Sequence, residues 1–415
     1  DLNDWVGCMG GHPDTVTPNI DRLAARGTLF TNAHSSAALC GPSRTSFLTG
    51  LRPSTSGVYD NQGHWKDSVP NVTTMPMHFK NNGYYTAGGG KIFHGRTNDN
   101  NAWDDFFASW GNNPKPKNAP IQGVAGKTGL FDWGAVEADD SDMGDMRTVD
   151  FISKKLGKKH EKPFFLAAGI FRPHLPWYAP KKYFDKFPKD SVTLPKSKEN
   201  DLDDVPDVAK SFAKPNGDHK KITDTGQWKE AVGAYLACIN FADHCVGKLI
   251  DALDNGPNAK DTIVVLWSDH GWHLGEKLHW RKFTLWEQAT RNPLAFVVPG
   301  MTTPKQKNSS AVSLLDIYPT LSQICGLPMP NHLEGKSLKP LLANSQQIWD
   351  KPVVSTRGYM NHSVRSNRWR YTRYHDGSEE LYDHKSDPME WQNLSKNADY
   401  KDIKYQLKRS LPQKN

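Results

Sequence analysis

Three short apolar runs limit what this chain can fold into: PFFLAAGI (163–170), TIVVLWS (262–268) and PLAFVVPG (293–300). Each is short for a buried helix and too continuously apolar for a strand with one face in water. Each therefore reads as a strand covered on both faces. Between the first two, residues 234–253 place apolar side chains at 238, 242, 245, 246, 249, 250 and 253, which is a helical period. Strands alternating with helices predict an α/β fold with a large, mostly parallel sheet flanked by helices. Folds of this kind carry their sites at the carboxyl ends of strands.

The rest of the chain adds to this frame. VTPNIDRLAARG (16–27) predicts a short helix with Thr17 as N-cap, Pro18 at the first position and Gly27 as the stop. Residues 312–324 predict another helix. Residues 98–142 and 181–221 have weak periodicity and read as long surface excursions, which either shape a pocket or decorate the surface. From about Lys351 the texture changes to short strand-like runs, predicting a small antiparallel subdomain with a terminal helix. The division expected is 1–340 for a catalytic α/β domain and 341–415 for the C-terminal subdomain.

Composition narrows the class. A chain of 415 residues exceeds one small core, and 37% hydrophobic residues with 28 prolines suit a loop-rich globular enzyme. Lys+Arg 52 against Asp+Glu 45 gives a net charge of +7 that is not gathered in one block. That balance suits an anionic substrate, and with no nucleic-acid-binding motif it predicts no nucleic-acid partner. Cys8, Cys40, Cys238, Cys245 and Cys325 are odd in number and irregular in spacing, so they are not a disulfide framework. No apolar run reaches membrane-spanning length, and no signal peptide is visible.

The stretch CGPSRTSFLTG (40–50) carries the chemistry. Pro42 suits the first turn of a helix and Gly50 its end, which puts Cys40 at a helix N-terminus. Unpaired N–H groups and the helix dipole favour an anion there, and Arg44 adds a fixed cation on the same turn. After the run at 262–268 comes SDHGWHLGEKLHWRK, so Asp269 and His270 fall at a strand's carboxyl end, where a carboxylate and an imidazole suit a divalent cation. Asp1 is a further candidate ligand. GGGKIFHG contributes Lys91 and His94, GIFRPHLPW contributes His174 directly after a strand, and HWRK ends in Lys282.

The pattern C-x-P-S-R followed by L-T-G resembles the signature of the type I sulfatase family, in which the cysteine is oxidised after translation to formylglycine. The likeness runs through nearly the whole chain, to Tyr371 and the Glu380–Asp383 stretch. Its best sub-match is the iduronate 2-sulfatase-like branch, through DLNDW, the K-x-x-H pair and SDHGW. The resemblance implies an alkaline-phosphatase-like fold and one Ca²⁺ held by Asp1, Asp269, His270 and residue 40. It also implies that the first strand and one more aspartate lie ahead of Asp1, and that Asp4 is no substitute. The implied chemistry is attack on sulfur by one hydroxyl of the hydrated formylglycine, held with Arg44. Lys91 and Lys282 neutralise the transferring group. His174 or Lys282 protonates the leaving oxygen, and His94 takes the proton that lets sulfate be expelled.

The implied partners are a sulfated oligo- or polysaccharide and a formylglycine-generating or anaerobic maturation enzyme, with the protein periplasmic or secreted. The sugar expected is a marine algal polysaccharide such as ulvan, with glycosaminoglycan and carrageenan as alternatives. A phosphodiesterase or phosphonate hydrolase and an inactive carbohydrate-binding relative are rival readings. Trp65, Trp177, Trp272 and Trp280 flank the motifs and would either stack on sugar rings or fill the core. His64 and His273 are candidates for reading a uronate or a second sulfate.

Overall fold

The computed structural model describes residues 1–108, 113–116 and 131–413. In chain order the strands are β1 (Thr28–His34), β2 (Tyr85–Gly90), β3 (Asp105–Phe107), β4 (Trp133–Val136), β5 (Phe164–Gly169) and β6 (Trp177–Pro180). They continue with β7 (Val264–Trp267), β8 (His273–Leu274), β9 (Trp280–Arg281), β10 (Arg291–Val297), β11 (Gln306–Asn308) and β12 (Val312–Ser313). The last four are β13 (Val353–Thr356), β14 (His362–Arg365), β15 (Trp369–Arg373) and β16 (Glu379–Asp383).

One sheet has the order β11-β1-β10-β7, with β12 also on β1, and a second is all parallel in the order β3-β2-β5. In the first sheet β11 and β12 run parallel to β1, while β10 is antiparallel to both β1 and β7. The architecture is the alkaline-phosphatase-like α/β arrangement, mostly parallel with one reversed strand. That reversal matters for the site. The segment from β7 to β10 returns to the sheet end it left, so it needs no crossover helix and is free to form a long loop there.

The long helix Trp228–Asp254 packs on the helix Gly144–Leu156 and buries the face that its sequence period predicts. It also fixes the short helix Pro18–Ala24. Thr17 does not cap that helix with its side chain; its hydroxyl instead accepts from Gly7 N at 2.8 Å. The carboxylate of Asp243, from the long helix, takes the backbone N–H groups of Asn19 (3.0 Å) and Ile20 (2.7 Å). A charged acceptor from a neighbouring helix therefore does the work expected of Thr17. Ala25, not Gly27, closes this helix. Residues 312–324 are also not one helix: β12 comes first, then a 3₁₀ turn Leu314–Asp316, then the helix Ile317–Ile324. Of the excursion expected over 98–142, residues 109–112 and 117–130 lie outside the described residues.

β5 and β7 are only half-buried, against the expectation of strands covered on both faces. They line a cavity of about 840 Å³ whose walls include Phe165, Ala167, Val265, Trp267 and Leu249. Among the described residues β5 pairs only with β2 and β7 only with β10.

β13 to β16 form an antiparallel meander backed by the terminal helix Lys401–Lys408, as the sequence texture predicts. Leu341, Leu342 and Trp349, just before it, still pack in the core of the large body with Phe30, Phe47 and Tyr318. The meander is joined to that body by charge. Arg370 on β15 is 0% exposed and reaches Glu287, Glu390 (2.5 Å), the Leu285 carbonyl (3.0 Å) and Ser363 (2.8 Å). Arg365 adds a second bond to Glu287 at 3.1 Å, so two arginines balance two buried carboxylates. Arg370→Ala leaves Glu287 and Glu390 short of a counter-charge, and breaking a buried pair in this way costs about 3–5 kcal/mol. Denaturant unfolding should show a loss of that size, with earlier proteolytic release of the meander. A loss below about 1 kcal/mol would show that the network is not what joins the two parts.

Candidate active site

The carboxyl ends of β1, β2, β5 and β7 supply the site. β1 leads through Leu39, in extended conformation, into the helix Cys40–Thr49, so Cys40 is its first residue and Pro42 lies within its first turn. Gly41 N donates to Asn61 Oδ1 at 2.8 Å, and Gly50 closes the helix at φ 76°. β2 delivers Lys91 and His94. β5 leads to His174. The loop from β7 to β10 carries Asp269, His270 and Lys282. Lys91 can come in this close because Gly90 (φ 74°) and Gly169 leave room: a Cβ on Gly169 would strike the Lys91 backbone, and one on Gly90 the Gly169 carbonyl.

These residues converge on the Cys40 sulfur, which is 0% exposed. Lys282 Nζ lies 3.0 Å from it, His270 Nε2 3.1 Å, Lys91 Nζ 3.6 Å and Asp1 Oδ2 3.7 Å. Lys282 Nζ also donates to Asp1 Oδ1 at 2.6 Å, and Arg44 Nε to Asp269 Oδ2 at 2.9 Å. Arg44 is held in turn by the carbonyls of Lys91 and Ile92. Atoms of Asp1, Cys40, Asp269 and His270 all lie within 4.8 Å of one another. Asp4 is elsewhere, paired with Arg291 at 3.1 Å.

Charge and burial set the protonation states. Burial alone would raise the Cys40 thiol, but Lys282 and Lys91 outweigh it and hold it well below its usual range. Burial likewise opposes the Asp269 carboxylate, yet Arg44 and its other cationic neighbours keep it ionised. Burial pushes His270 down to about 4. Its Nδ1 lies 2.9 Å from the Gly271 carbonyl, which can only accept, so the proton sits there and Nε2 keeps its lone pair toward Cys40. Burial also brings His94 to about 4 and His174 to about 3, with Lys91 and Lys282 contributing at His174. Both rings are therefore neutral near pH 7. His174 donates Nδ1–H to the Leu175 carbonyl, which leaves Nε2 to face the site.

Residues 3–327 match the sulfatase family. The chain belongs to that family. Residues 275–415 also match "N-sulphoglucosamine sulphohydrolase, C-terminal". A sulfatase from Formosa agariphila is 40% identical over 100% of this chain and 85% of its own length. Human iduronate 2-sulfatase is 30% identical over 95% of this chain and 89% of its own. Among solved structures, one captured with its substrate D-glucosamine-2-N,6-O-disulfate superposes with a TM-score of 0.78 at 20% identity, covering 99% of this chain and 94% of its own. A phosphonate monoester hydrolase of Agrobacterium radiobacter gives 0.81 at 21%, covering 99% and 92%; at such identities both show the fold alone. The protein is a sulfatase, a sulfuric ester hydrolase of the iduronate 2-sulfatase-like branch.

Most of the candidates for reading the sugar are buried. Trp177, Trp272 and Trp280 are at most 1% exposed and pack against one another and against Tyr235 and Phe131. Trp65 is stacked beside Phe93, with its Nε1 on the Thr97 carbonyl. For all four tryptophans the core use holds, because a ring sealed in the interior cannot meet a sugar. His273 is also sealed, between the Glu276 carbonyl and Thr284. His64 alone stays half-open; its Nδ1 accepts from Lys66 N.

Sequence reasoning missed the supporting groups. Ser43 bonds the Asp269 carbonyl, Ser268 Oγ bridges Leu2 N and the His270 carbonyl, and the Tyr235 hydroxyl donates to the Asp1 carbonyl at 2.8 Å. Only Ser43 was signalled, by its place in the 40–50 stretch. Lys91 yields a pH test. Burial lowers its ammonium to about 8, so it is charged below that pH and loses its proton as pH rises through it. kcat/KM should fall on an alkaline limb near pH 8, and Lys91→Arg should move that limb upward. An unmoved limb would assign it to another group.

Proposed function

We propose that this sulfatase removes sulfate from a sulfated carbohydrate, with residue 40 acting as formylglycine. The convergence of Lys91, Lys282, Arg44 and two carboxylates on the buried Cys40 carries the reading, because it builds a cationic pocket around one modifiable side chain. The relatives acting on sulfated sugars support the substrate class. Among sugars we favour a marine algal polysaccharide such as ulvan, with glycosaminoglycan and carrageenan as the alternatives. The protein would meet its substrate outside the cytoplasm, after a formylglycine-generating or anaerobic maturation enzyme has acted. Among the described residues no helix is long and apolar enough to cross a membrane.

Formylglycine, once made and hydrated, supplies a hydroxyl nucleophile toward sulfur and a second hydroxyl whose loss of a proton releases sulfate. A divalent ion fits the donor set: two carboxylates, the His270 Nε2 lone pair and residue 40. Hard oxygen donors favour Ca²⁺, which would act as a Lewis acid on a sulfate oxygen. The chain's own groups do the rest. Lys91 and Lys282 hold the sulfate charge, and Arg44 fixes Asp269. Neutral His94 is ready to take a proton. The sulfate's negative charge offsets Lys91 and Lys282 around His174, which makes it easier for that ring to hold the proton it passes to the sugar oxygen.

Active protein should show an aldehyde at position 40 by mass spectrometry, and should release sulfate from members of a panel of defined sulfated oligosaccharides. Cys40→Ala should abolish that release, and chelation should remove it until Ca²⁺ is restored. Full activity with an unmodified thiol, or turnover of phosphonate esters only, would refute the reading. A sugar alkoxide needs a proton to leave, whereas an activated aryl oxide needs one far less. His174→Ala should therefore lose about 10²–10⁴-fold on oligosaccharides, and much less on an activated aryl sulfate. Equal losses would transfer the acid role to Lys282.

A further inference from the structure

Arg357 is a partly buried guanidinium with no counter-charge among the described residues. It lies in the turn between β13 and β14, and that turn is well tied: Arg357 N donates to the Asn361 carbonyl at 3.0 Å, while Asn361 Nδ2 donates back to the carbonyls of Arg357 (3.0 Å) and Tyr359 (2.8 Å). The guanidinium sits by two aromatic rings, 4.9 Å from the centre of Phe212 and 5.6 Å from that of Phe283. Nε donates to the Phe283 carbonyl at 2.9 Å. Among the described residues no carboxylate lies within 4 Å of it, and neither Nη has a hydrogen-bond partner. Burial depresses its pKa, and no acidic neighbour raises it.

Its position gives this meaning. Phe283 directly follows Lys282, the lysine 3.0 Å from the Cys40 sulfur, and Phe283 N donates to the Ala38 carbonyl, two residues before Cys40. Phe283 holds this place at φ 82°, a conformation that a bulky side chain adopts only under constraint. The Arg357 turn also meets the segment that holds the start of the Cys40 helix: Tyr359 packs edge-on against Tyr59 at 5.9 Å, two residues from Asn61, which accepts from Gly41 N. The turn bearing Arg357 thus touches Phe283, next to Lys282, and the Tyr59–Asn61 segment that holds Gly41 beside Cys40. A partly buried arginine beside two aromatic rings, with both Nη groups unpaired among the described residues, is suited to take a planar or tetrahedral oxyanion.

We propose that Arg357 is a specificity residue that binds a second oxyanion of the saccharide, a uronate carboxylate or a further sulfate ester, beside the sulfate being removed. This rests on the sulfated-carbohydrate reading above. The test compares kcat/KM on matched oligosaccharides that differ only in the second anion: a uronate against its carboxyl-reduced form, and a disulfated sugar against its monosulfated form. Arg357→Met keeps a long unbranched stem by Phe212 and Phe283 but removes the charge. Charged hydrogen bonds of this kind correspond to a factor of about 10–100, so the preference for the doubly charged member should fall by that factor, mainly through KM. Arg357→Lys should restore part of it. The pair that loses its preference tells carboxylate from sulfate. If Arg357→Met slows both members of each pair equally, or if the wild-type protein shows no preference for the second anion, the proposal is wrong while the carbohydrate reading stands. If the wild-type protein desulfates no saccharide, that reading fails first and this one with it.

Discussion

Two buried carboxylates, Asp1 and Asp269, face a single side chain at Cys40, and the site depends on the cations that pair with them there. Lys282 serves both Asp1 and the sulfur, Arg44 holds Asp269, and Lys91 sits across from them. Any one of these charges alone would be costly to desolvate. Together three cations and two carboxylates form a compact cluster around Cys40. The neutral histidines around it follow from the same arrangement, since a buried imidazole among lysines and an arginine does not gain a proton easily.

The backbone makes the cluster possible through strand direction. β1 and β7 end at the same edge because β10 runs opposite to both, and β2 and β5 end together because they are parallel. Gly90 and Gly169 then allow Lys91 to approach closely. The loop from β7 to β10 bears two of the metal candidates, Asp269 and His270, at its start and Lys282 further on, so a single connection supplies three residues of the candidate site.

Much of this was legible in the sequence. The apolar runs marked β5, β7 and β10, the period of 234–253 marked the long helix, and the C-terminal texture marked the meander. The motif residues Cys40, Arg44, Lys91, Asp269, His270 and Lys282, singled out by local pattern and by the family resemblance, lie together in the structure. What failed to show were features fixed by distant partners. Thr17 looks like a cap, but Asp243 takes its place from more than 200 residues away. Trp177, Trp272 and Trp280 flank catalytic motifs in sequence, yet burial turns them into the packing behind the site. Arg357 carries no local signal, because its interest lies in the counter-charge it lacks among the described residues.

The meander divides its labour within one pair of strands. β14 and β15 hold Arg365 and Arg370, whose match to Glu287 and Glu390 leaves little freedom to change. The turn that enters β14 bears Arg357 and Tyr359 and takes no part in that lock. Substitutions in this turn leave that clasp untouched, so, if Arg357 reads a second anion as proposed, selectivity among sulfated sugars could shift at this turn while the charged clasp stays constant.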